Sequence, residues 1–134
     1  MKSTAIIALL YFTTPAVGQY LTPDLIGLAG QTCRGNTGLY DVVYTIDTKN
    51  GQWAVHDLFG LKGSAESAMK DVGWLPATLT GDSLTFQGMS ARITLVAKDA
   101  HTVLGHFSQT DPRRPGVGDY ALTCTATPPA QRWH

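Results

Sequence analysis

The residues of this chain whose types could do covalent or acid–base chemistry are Cys33 and Cys124, the histidines His56 and His106, and Ser83 in a Gly81-Asp82-Ser83-Leu84 turn. The two cysteines lie roughly 90 positions apart, near opposite ends of a short chain. The chain opens with Lys2, an apolar run from Ala5 to Phe12 and a small-residue stretch ending Ala16-Val17-Gly18. Those are the three parts of an export signal. An exported chain meets an oxidising compartment, where two thiols become one disulfide. The expected chemistry of Cys33 and Cys124 is therefore a structural bridge.

The turn at 81–84, extended by Thr85 and Gly88, resembles the motif of the GDSL esterases and lipases. The resemblance implies Ser83 as a nucleophile at a strand end in an α/β/α sandwich. It also implies a second block of Gly and Asn donors for the oxyanion and a late Asp-x-x-His. The match covers eight of the 134 residues. No Asp-x-x-His stands near the C-terminus, because Asp99-Ala100-His101 has a different spacing. The 134 − 83 = 51 residues after Ser83 are too few for that fold's helices and parallel strands. A Gly-Asp turn feeding a strand accounts for the same letters.

His56 alternates with Asp57, so the two point to opposite faces of a strand and share no site. His56 falls on the face of Ala54 and Leu58, and His106 on the face of Leu104, where histidine usually has a structural role. No His-x-His, His-Glu-x-x-His, Cys-x-x-Cys or Asp-x-Asp-x-Asp occurs. No catalytic residue, metal ligand or cofactor is assigned.

The elements that must position these residues read as strands. Tyr40, Val42, Tyr44 and Ile46 alternate with Asp41, Thr45 and Asp47, the mark of a half-buried antiparallel strand. Asn50-Gly51 then predicts a tight hairpin into a strand over 52–59. A patch of small residues over 60–73 includes a short helix near 64–71, with Ser64 as N-cap and Glu66 in the first turn. Strands follow over 74–80, 83–87, 90–98, 102–109 and 119–126. The expected fold is all-β: seven or eight antiparallel strands in a meander that forms a small barrel or a sandwich. Cys33 precedes the first long strand and Cys124 lies in the last, so their bridge predicts that first and last strands are neighbours.

The domain plan is a signal peptide over 1–18, one β-domain over 19–126 and a flexible tail over 127–134 holding Pro128-Pro129. The apolar run is shorter than the roughly 20 residues that cross a bilayer, so the expectation is a secreted or periplasmic protein with no membrane association after signal removal. Ten basic residues balance ten acidic ones, which points away from nucleic acid.

Trp53, Trp74, Tyr44 and Phe107, spread over several strands, would line a small apolar pocket if they converge inside a barrel. In the loop over 111–118, Arg113 and Arg114 stand between two prolines, a stiff presentation suited to an anionic partner. The leading expectation is a secreted, non-enzymatic β-domain that binds a small apolar ligand or a secreted protein partner. The alternatives are a small secreted serine hydrolase using the turn at 81–84, and an inhibitor or immunity-type protein acting through the loop at 111–118.

Overall fold

The architecture is that of a computed structural model, which describes residues 27–113 and 116–133. The expected signal over 1–18 and Arg114 lie outside those residues. The strands are β1 (Gln31–Asn36), β2 (Tyr40–Lys49), β3 (Gln52–Leu61), β4 (Lys70–Thr80), β5 (Ser83–Gln87), β6 (Ala91–Asp99), β7 (Thr102–Gln109) and β8 (Val117–Ala126). Each pairs antiparallel with the next, and β8 pairs back onto β1, so eight strands close into a barrel.

Period-two patterning builds this directly. Val42, Tyr44 and Ile46 of β2 face inward, with Val55 of β3, Leu84 and Phe86 of β5, Ile93 and Leu95 of β6, Val103 of β7 and Leu122 of β8. The β2–β3 hairpin turns on Asn50 (φ 54°) and Gly51 (φ 78°), both left-handed, which matches the twist of the paired strands.

Closure runs through the cysteines. Cys33 of β1 stands directly opposite Cys124 of β8, and the two form a disulfide inside the barrel wall, both buried. The first and last strands are thus bonded as well as hydrogen-bonded. A disulfide of this kind points to an oxidising, extracytoplasmic setting. No helix among the described residues is long and apolar enough to cross a membrane.

The helix expected near 64–71 does not form. A single 3-10 turn, Glu66–Ala68, stands there, and β4 starts at Lys70, four residues earlier than Trp74. Two turns of helix are marginal without a packed face, whereas Lys70 and Asp71 gain partners opposite Phe59 and Leu58 of β3. The turn is tied to the wall by Arg34 of β1, whose Nε donates to Glu66 Oε2 at 2.7 Å.

The strand connections divide the barrel into two ends. The β2–β3, β4–β5 and β6–β7 turns lie at one, which Leu28 closes by packing into the core from the turn before β1. Residues 127–133, read from sequence as a tail, run back along the outer wall there. Thr127 donates its backbone N–H to Gly30 O at 2.8 Å, and its hydroxyl pairs with that of Thr32. Arg132 Nε donates to Asp47 Oδ2 at 2.7 Å, Nη2 reaches Oδ1, and the Trp133 N–H adds a third bond. Those donors hold the buried Asp47 carboxyl below the usual carboxylate range. The Trp133 ring stacks on Trp74 at 5.7 Å. Arg132→Ala is expected to release this segment, measured as a red-shifted tryptophan emission and greater iodide quenching; unchanged emission would contradict the docking.

Candidate functional site

At the other end the barrel is open. The β1–β2, β3–β4, β5–β6 and β7–β8 connections lie at this end, and the first and third of them border a cavity of about 190 Å³. Its apolar wall comes from Val42, Phe59, Ala91, Ile93 and Phe107, with Met89 at the mouth. The volume is somewhat above that of a roughly 150 Å³ apolar cavity known to hold benzene, so a molecule of one ring and a short side chain fits.

Two aromatic side chains owe their positions to glycines on the facing strand. Gly105 of β7 pairs with Tyr120 of β8, and Phe107 of β7 pairs with Gly118 of β8. A Cβ at Gly105 would lie 2.7 Å from the Tyr120 ring, and one at Gly118 2.6 Å from the Phe107 ring. Each ring therefore lies flat over a glycine, which fills the gap and fixes the ring's direction. The Tyr120 hydroxyl meets that of Tyr44 at 2.7 Å across the barrel. Burial raises the Tyr44 pKa well above that of an ordinary tyrosine and Tyr120 to about 12, so both stay neutral phenols. One hydroxyl donates to the other, which leaves a single O–H to point elsewhere.

The polar centre is Asp57. It alternates with Val55 and Phe59 on the inner face of β3, is only 4% exposed, and lines the cavity. No hydrogen-bond donor or cation contacts its carboxyl among the described residues. Opposite it β4 bulges: Asp57 pairs with Gly73 and Leu58 with Asp71, so Val72 is extra. The bulge is held by the Gly73 N–H, which donates to Asp71 Oδ1 at 2.9 Å. Burial first, and the Asp71 charge second, push the Asp57 carboxyl up to about 6. Gln109 also lines the cavity, and its Oε1 is a buried acceptor with no partner among the described residues. An apolar cavity with a few convergent polar groups and a perturbed carboxyl has the chemistry of a binding site.

The structure brings together two of the four aromatic residues expected in a pocket. Tyr44 and Phe107 line the cavity. Trp53 packs against the core and is not among the cavity residues. Trp74 is on the outer wall, edge-on to His56 and stacked on Trp133. Arg113 has an 89% exposed side chain, and its Nε donates to Asp111 Oδ1 at 3.3 Å. Its loop connects β7 to β8 at the open end, beside Gln109.

Ser83 opens β5 at the closed end, directly after the Gly81-Asp82 turn, and its hydroxyl donates to Asp82 Oδ1 at 3.4 Å. Neither His56 nor His106 partners it: His56 pairs with Asp71 at 3.0 Å and His106 with Asp119 at 2.6 Å, both on the outer wall. Among the described residues nothing takes the part of a general base for Ser83.

Sequence reasoning missed Asp57, Tyr120 and Gln109 as site residues. The signal for Asp57 was present: Trp53, Val55, Asp57 and Phe59 alternate, which puts an acid in the middle of an apolar face. No family model, curated protein or solved structure matches this chain.

Proposed function

We propose that the protein is an exported binding barrel that takes a small, mostly apolar molecule into the open end. The observation that carries this is Asp57, a carboxyl kept inside an apolar cavity without a hydrogen-bond donor among the described residues. A buried ionisable group without compensation costs stability, and such groups concentrate where function needs them. Apolar side chains at the mouth support entry: Leu39 is 74%, Met89 63% and Leu61 66% exposed, and Val117 begins β8 at the same end. These residues also support a second reading, in which the inserted group is an apolar side chain of a secreted protein partner. The Arg113 loop would then form part of the contact surface.

Ligand-observed NMR against a panel of single-ring compounds tests the first reading. Wild type is expected to show saturable binding, and Ala91→Phe, which fills the cavity from β6, is expected to weaken it by about tenfold or more, the cost of losing roughly 1.4 kcal/mol of contact. Equal binding by the two proteins would place the ligand outside the cavity. If Leu39→Asp and Met89→Asp abolish capture of a secreted protein while small molecules never bind, the second reading stands instead.

A further inference from the structure

The polar groups of the cavity are unbalanced. Asp57 offers two acceptor oxygens, 4% exposed as a residue and without a donor among the described residues. Gln109 Oε1 behind the cavity wall is a second buried acceptor without a partner among the described residues. Against these stands one free phenolic O–H from the Tyr44–Tyr120 pair. No lysine, arginine or histidine lines the cavity among the described residues. The rings of Tyr44, Phe59, Phe107 and Tyr120 surround the space, and aromatic faces attract cations. A ligand that completes this site must bring several donors and a positive charge on a small apolar body.

We propose that the cavity selects small aromatic primary amines, with the ammonium group paired to the Asp57 carboxylate. This rests on the reading of the cavity as the ligand site. Burying an ion pair often gains little, because both partners lose water. Here burial has already removed part of the carboxylate's water in the free protein, so pairing costs less on that side. The pre-set charge also works against anions, whose carboxylates would face Asp57 with no cation to offset it. The titratable groups that share the cavity with Asp57 are Tyr44 from β2 and Tyr120 from β8; Asp71 of β4 acts on it from the outer wall, where it pairs with His56, and no cation lines the cavity among the described residues.

Isothermal titration with benzylamine, benzyl alcohol and benzoate at about pH 8, where the amine is charged, decides the matter. Benzylamine is expected to bind about tenfold or more tighter than benzyl alcohol, and benzoate to give no saturable heat. Asp57→Asn is expected to bring the amine-to-alcohol ratio close to one. Wild type at about pH 5, where Asp57 is mostly protonated, is expected to lose much of the same preference without any substitution. A ratio near one in wild type at about pH 8, or a ratio that survives Asp57→Asn, overturns the ammonium assignment while leaving an alcohol-binding cavity intact. If none of the three compounds binds, the assignment and the reading of the cavity as a ligand site fall together.

Discussion

Replacing Cys33 and Cys124 together with alanine is expected to lower folding stability by about 4–5 kcal/mol. The disulfide spans a sequence separation of 91 and restricts the unfolded chain accordingly on the loop-entropy model. It also joins β1 to β8, the one pairing of the barrel made by strands from opposite ends of the sequence. Every other strand pair closes through a local connection, so this pair has by far the largest loop-closure cost. Against a typical total of about 5–15 kcal/mol, losing the bridge would leave the barrel marginal. Urea unfolding of the oxidised wild type and the double variant measures the difference. A loss below about 1 kcal/mol would show that β1–β8 hydrogen bonding and core packing close the barrel without the bridge.

The second large effect belongs to Asp57 and depends on pH. Its carboxyl is raised from 3.8 to about 6 in the folded protein. Between those values the folded chain holds more protons than the unfolded chain, so stability falls as pH rises through the window. Above it the ionised Asp57 costs about 3 kcal/mol. Asp57→Asn keeps a neutral group of the same shape. The variant is expected to match wild type near pH 4 or below and to be more stable by up to about 3 kcal/mol near pH 8. The comparison with wild type is needed because Asp41, Asp47, Glu66 and Asp99 have lowered pKa values and contribute the opposite slope at lower pH. A variant less stable than wild type at every pH would mean that the carboxylate has a partner that compensates it. A gain in stability with a loss of amine binding would be the signature of a group kept for function.

The strands were legible because their signals are local. Alternation over Tyr40–Ile46 and the Asn50-Gly51 turn fix one hairpin, and short turns fix most of the others. The cysteines added the one long-range fact, that β1 and β8 adjoin, and the barrel follows from it. Barrel and sandwich share that local pattern, so alternation alone left them open. The site was harder to read. Trp74 faces outward because the bulge at Val72 and the β3 register set its side, and Trp133 from the docked C-terminal segment covers it. Neither fact is visible in the letters around Trp74. Tyr120 alternates onto the face of Leu122 and Cys124, yet its meeting with Tyr44 across the barrel depends on closure. The Gly-Asp-Ser-Leu turn shows the opposite case, a recognisable string whose surroundings hold no partner for its serine. Asp57 was the clearest clue in the sequence, a charge where the period demands an apolar residue.

The most direct test of the central claim is amide chemical-shift mapping of the oxidised protein during titration with benzyl alcohol. The cavity account predicts saturable shifts concentrated at Val42, Tyr44, Asp57, Phe59, Phe107 and Gln109, with little change at the Asn50–Gly51 and Gly81–Asp82 turns of the closed end. Shifts clustered at the closed end or along the outer wall by Trp74 and Trp133, or no saturable shift at all, would contradict it.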